Sequence, residues 1–176
     1  MSLDTRFTEE ELFLLTNTPF TIGSAMVFAE GSGLGTVKEL FSNTKSFMEG
    51  AKSFPQNEII VGILPNMADR KEAMTEAKAF QEKSKDWFKD KGIDSPEKMH
   101  QLVIDSSREV AKLLKEKATP EEAAEYKEWA MSIAESVAKA AKEGGFLGFG
   151  GERVSAGEKQ LYTDIADALD SSSQLT

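Results

Sequence analysis

The chain has one histidine, and that limits what its side chains can do. Glu97-Lys98-Met99-His100 fits the Glu-x-x-His pattern of di-iron bundles, in which both side chains project inward from one helix face. Such a site needs a second pair and two further glutamates, and there is no second histidine. A Ser-His-Asp arrangement around His100 is formally open, but nothing in the sequence positions a nucleophile. With no cysteine, disulfides, thiolate metal sites and cysteine nucleophiles are excluded.

Carboxylates offer a second kind of chemistry. A hard cation needs several oxygens converging at once. Glu30, Glu39, Glu143, Glu152 and Glu158 flank two glycine-containing turns, and they can converge if those turns are neighbours. Of these, Glu30, Glu39, Glu152 and Glu158 form the candidate divalent-cation set. The plainer reading is that Glu39 and Glu158 cap helices and the others are solvated. No other cofactor is expected. Gly31-Ser32-Gly33-Leu34-Gly35 is weak as a nucleotide motif, because no strand leads into it.

The third feature is the stretch Gly144-Gly145-Phe146-Leu147-Gly148-Phe149-Gly150-Gly151, in which five residues are glycine and three are large and apolar. A plain connector would be polar. Three readings stand side by side. Phe146, Leu147 and Phe149 plug one end of the core, or they meet a partner chain, or the glycine amides hold a ligand. No Gly-Lys-Ser/Thr follows, so this is not a nucleotide-binding P-loop. The candidate binding residues are Gly144, Gly145, Phe146, Leu147, Phe149 and Gly150.

Helices must carry these groups. Thr8 with Glu11 and Ser155 with Glu158 read as capping boxes. Ser95-Pro96-Glu97 and Thr119-Pro120-Glu121-Glu122 place a cap, a first-turn proline and acids at the positive helix end. Asn57 and Asn66 are weaker cap candidates. Apolar residues recur every three or four positions after each start: Met99, Val103, Val110, Leu113 and Leu114; Tyr126, Ala130, Ile133 and Val137; Leu161, Ile165, Ala168 and Leu169. Met74, Ala77, Phe80, Ser84 and Phe88 do the same. Trp87, Phe88 and Trp129 read as core or core-edge packing.

The N-terminal third is more broken. Glu9 to Thr16 reads as a helix stopped near Pro19, and Phe20 to Ala29 as a second. Val37 to Phe54 reads as a third, weakened by Gly50, and Glu58 to Leu64 as a short buried helix. The expected fold is all-α, a single-domain antiparallel bundle of about seven or eight helices over residues 1–170, with a disordered tail at 171–176.

Charge narrows the partners. The chain has 176 residues and a net charge of −9, spread over both halves. An acidic surface repels phosphate backbones and anionic lipid, so neither nucleic acid nor membrane is the expected partner. The longest strongly apolar run, Ile59 to Leu64, is far short of a membrane span. Met1 to Asp4 lacks the pattern of a signal peptide, so the expected location is cytoplasmic. Another protein chain, or self-association through Phe146 to Phe149, is the expected contact.

The segment Trp129 to Leu169, with its Glu143-Gly144-Gly145-Phe146-Leu147-Gly148-Phe149-Gly150-Gly151 core and Val154-Ser155…Glu158, resembles the C-terminal signature of an uncharacterised bacterial helical family. That resemblance implies no activity. More distantly, two places are similar to the helix–turn–helix units of TerB-like tellurite-resistance proteins: Ala29-Glu30-Gly31 before Gly35 to Glu39, and Lys142-Glu143-Gly144 before Arg153 to Glu158. This resemblance implies metal binding and a stress-linked role. The departure is that no aspartate occupies either turn. The function expected is a non-enzymatic binding or scaffolding module. A TerB-like divalent-metal protein and a carboxylate enzyme with two glutamates buried together are the alternatives.

Overall fold

The computed structural model describes residues 3–29, 44–65, 68–143 and 155–173. Over those residues the protein is a helical bundle with no strand. Eight helices are described: α1 (Leu3–Arg6), α2 (Glu9–Ala29), α3 (Thr44–Ser53), α4 (Glu58–Ile63), α5 (Arg70–Asp90), α6 (Pro96–Lys117), α7 (Pro120–Glu143) and α8 (Ala156–Ala168).

α2 is the central element. It packs chiefly on α6 and α7, and also on α8. Ile22 and Met26 are fully buried, in one core cluster with Val103, Leu114, Ala130 and Ile165 from those helices. The expected break near Pro19 does not occur: residues 9–29 form one helix with Pro19 inside it. A proline in a helix interior removes one amide donor and crowds the carbonyl four residues earlier. Here that carbonyl belongs to Leu15, and the buried Tyr126 hydroxyl donates to it at 2.6 Å. A donor from α7 thus replaces the amide that Pro19 lacks, and the helix continues.

α2 also carries polar groups into the core. Asn17, Thr18, Thr21 and Ser24 are buried. Thr21 Oγ1 donates to the Asn17 carbonyl at 2.8 Å and Ser24 Oγ to the Phe20 carbonyl at 2.9 Å, so both hydroxyls are satisfied within the helix. Among the described residues α2 is the one helix long and apolar enough, by length and composition alone, to cross a membrane. The run Ile59–Leu64 is therefore not the fullest apolar stretch. The central helix of a packed bundle meets the same test, and most of α2 is buried by its neighbours.

The other helix starts follow the sequence closely. Asn57 caps α4, accepting from Ile60 N. Ser95 caps α6 ahead of Pro96. Asp69 caps α5, accepting from Lys71 N and Glu72 N; Asn66 lies outside the described residues. α8 ends with Asp170 at φ 54°, and the Ser171 amide donates back to the Ala166 carbonyl at 2.8 Å. Of the tail at 171–176, Ser171 makes this one bond to the helix, and 174–176 lie outside the described residues.

Two details of packing were not legible. Gly50, read as a weak point, lies where α3 crosses α7. A Cβ there would stand 2.6 Å from Trp129 Cδ1 and Cε2, and closer still to Nε1, so only glycine fits against the indole. On α5, Met74 is 66% exposed and does not belong to the inner face; Ala73 and Ser84 are its buried residues.

Candidate functional site

Three capping boxes organise the acidic chemistry of the described residues. At each, a glutamate three positions into a helix accepts from the amide of its Thr or Ser cap: Glu11 from Thr8 N at 2.7 Å, Glu122 from Thr119 N at 2.8 Å, and Glu158 from Ser155 N at 2.7 Å. The cap hydroxyls accept reciprocally at 3.2 Å in all three. Each box satisfies two amides that a helix start leaves orphaned.

The first two boxes have a further partner. Arg6 of α1 grips Glu122 with both arms, Nη1 to Oε1 at 2.8 Å and Nη2 to Oε2 at 2.7 Å, and also donates to the Lys117 carbonyl at 3.0 Å. Its hydrogen bonds, outweighing the cost of burial, hold the Glu122 carboxyl down to about 2. Lys117, at the end of α6, donates from Nζ to both oxygens of Glu11 at 2.6 Å and lowers that carboxyl as well. Asn57 joins the cluster: its Nδ2 donates to the Glu122 carbonyl at 3.1 Å and to Glu125 Oε2 at 2.8 Å. The set ties α1, α2, α4, α6 and α7 together at one end. Arg6 carried no signal in the sequence. Lys117 carried one, since a cation in the last helical turn suits the dipole.

Glu158 differs. It is 3% exposed, and its Oε1 is buried without a hydrogen-bond partner. Beside it, a Cβ on Gly157 would stand 3.6 Å from the Ala29 carbonyl oxygen. The end of α2 and the start of α8 therefore meet, so the chain leaves α2 beside the point where it enters α8. The other candidate residues, Gly144, Gly145, Phe146, Leu147, Phe149, Gly150, Glu30, Glu39 and Glu152, lie outside the described residues, as does most of each segment.

His100 belongs to a different contact. Its Nε2 lies 3.0 Å from Asp164 Oδ2, and Gln160 Nε2 donates to Asp164 Oδ1 at 2.8 Å. The pair is partly exposed and joins α6 to α8. Glu97 is exposed in the first turn of α6. Ser106 and Ser107 are buried, about 9–10 Å further along the same helix axis, too far to form a triad with His100. Asp164 was not singled out in the sequence, because only the packing of α6 on α8 pairs it with His100. Among the described residues no group of three or more His, Asp and Glu is placed to hold a metal ion. Their buried acids are Glu122 and Glu158, each committed to its own helix start.

Compared with known proteins, the chain matches no family model, no curated protein and no solved structure.

Proposed function

We propose that this protein is a non-enzymatic binding or scaffolding module, a single-domain antiparallel bundle that meets another protein chain or a second copy of itself through the loop Gly144, Gly145, Phe146, Leu147, Phe149 and Gly150. One observation carries the reading: Gly157 at the start of α8 lies against the Ala29 carbonyl at the end of α2, so the chain leaves α2 toward residue 30 beside the point where it enters α8 from residue 154. A further support is that the helices already turn their apolar stripes toward one another, in a cluster running from Phe7 to Leu169. The loop adds three large apolar side chains to that. The acidic charge supports a partner other than nucleic acid or membrane, and the TerB-like resemblance supports a stress-linked role.

Because the chain has no cysteine, Phe146→Cys and Phe149→Cys each give a single reporter thiol. At dilutions where the protein is monomeric, both are expected to react with a thiol reagent at close to the rate seen in denaturant. The solution mass of the native protein is expected to rise with concentration, and to stay monomeric for Phe146→Ser/Phe149→Ser. Thiols that are protected in a protein monomeric at every concentration would make the loop a plug and remove the reading.

Glu158 favours a second reading, a TerB-like divalent-cation site at the same corner. A buried carboxylate oxygen without a partner is costly, and a cation would satisfy it. Titration with calcium, magnesium and zinc is expected to release heat and raise the melting temperature, and Glu158→Gln, which keeps the capping geometry, is expected to abolish both. Absence of heat and shift with all three ions in the native protein would end this reading.

A further inference from the structure

We propose that α5 is a cover that leaves the bundle as a unit before the other helices open, uncovering a seat formed by Phe13, Asn17 and Phe20 of α2 with Phe47 of α3. This goes beyond the loop and its corner, and it rests on how α5 is held.

Helices α1, α2, α4, α6 and α7 are stapled by the Arg6 and Lys117 clusters, and α6 and α8 by His100 and Asp164. Among the described residues no ion pair joins α5 to another helix. Of its 21 residues, only Ala73 and Ser84 are buried. Its attachment is made largely by aromatic rings. Phe80 meets Phe13 at 6.3 Å, Phe20 at 5.9 Å and Phe47 at 6.5 Å between centroids. Trp87 meets Phe13 at 6.1 Å and Phe88 meets Phe20 at 6.2 Å. All of these rings are only partly buried. Lys83 Nζ lies 4.5 Å above the Phe13 ring.

One buried hydrogen bond crosses the seat, from Ser84 Oγ to Asn17 Oδ1 at 2.8 Å. The same amide leaves its Nδ2 buried and unpaired. A buried donor without a partner is costly, and it lies on the side chain that α5 holds through this bond. At the far end of α5, Gly92 at φ +63° closes the helix, its amide donating to the Lys89 carbonyl at 3.0 Å and the Ile93 amide to the Phe88 carbonyl at 3.2 Å, so α5 ends in its own cap and can leave as one piece. A helix with few buried contacts and no ionic staple is the kind of unit that opens below the global free energy.

Hydrogen exchange read by mass spectrometry tests this on the whole chain. Amides of residues 75–88 are expected to exchange at least about tenfold faster than those of 102–114 and 126–137. An engineered Asn17→Cys/Ser84→Cys pair gives a disulfide across the seat in a chain with no native cysteine. Oxidation is expected to slow exchange in α5 by about tenfold relative to the reduced form, leaving α6 unchanged. Exchange in α5 as slow as in α6 and α7 of the native protein would overturn the proposal, and so would a pair that fails to oxidise or that slows α6 equally.

Discussion

Removing one oxygen from Tyr126 is expected to destabilise the protein by about 1–3 kcal/mol, the cost of leaving a buried acceptor unpaired. The Tyr126 ring is fully buried and its hydroxyl ends on the Leu15 carbonyl. In Tyr126→Phe the ring still fills its space between α2 and α7, so packing barely changes. What changes is that the Leu15 carbonyl, already denied a helical donor by Pro19, has none at all. For a chain of this length the loss corresponds to a fall in melting temperature of about 4–8 °C at mid-range. A double-mutant cycle separates this account from a general cost of core substitution. In Pro19→Ala the backbone amide of residue 19 returns and can serve Leu15, so Tyr126→Phe is expected to cost about 1 kcal/mol less in that background. Urea denaturation of the four proteins measures the coupling. Equal costs in both backgrounds would mean that the hydroxyl does not stand in for the missing amide.

The same pair of residues explains what the sequence could and could not convey about the fold. Local rules located the starts of α2, α7 and α8, because a cap and its glutamate lie three residues apart, and those of α4 and α6, because Asn57 and Ser95 are side-chain caps read from the residue itself. They failed at Pro19, because the compensating donor lies more than a hundred residues away. A proline with no visible rescue reads as a stop, and only the contact between α2 and α7 supplies the rescue. Gly50 is a similar case: its need for a bare Cα comes from Trp129 on another helix. Spacing alone puts Met74 on the inner face because period 3.6 fixes a stripe only to within a residue or so when a helix is mostly polar. Among the candidate site residues, Glu158 was legible as a cap, but its unpaired second oxygen was not. That oxygen is notable only by comparison with Glu11 and Glu122, which were completed by Lys117 and Arg6 from other helices.

That comparison leads to the larger of the two effects, an acid sensitivity concentrated in one ion pair. The Glu122 carboxyl is depressed from 4.5 to about 2 in the folded protein, chiefly by the Arg6 hydrogen bonds. A carboxyl depressed on folding stabilises the native state above its unfolded value, and that stability is lost as pH falls through the folded value. The gap corresponds to about 3 kcal/mol at neutral pH, of which roughly 2 kcal/mol is gone by about pH 3. Glu11, lowered by Lys117, acts in the same direction. Arg6→Ala removes the cation but leaves the carboxylate largely buried, so it is expected to cost about 2–4 kcal/mol at neutral pH. Below about pH 3 that cost shrinks, because the native protein has by then lost much of the same interaction. Urea unfolding of both proteins at neutral pH and near pH 3 checks the sign and the size. The residual acid dependence of Arg6→Ala then belongs to Glu11 and Lys117, which the substitution leaves in place. If Arg6→Ala and the native protein lose stability in parallel on acidification, the pair is not the acid-labile staple of this fold, and the anchoring of α1 to α7 must rest on the packing of Leu3 and Phe7.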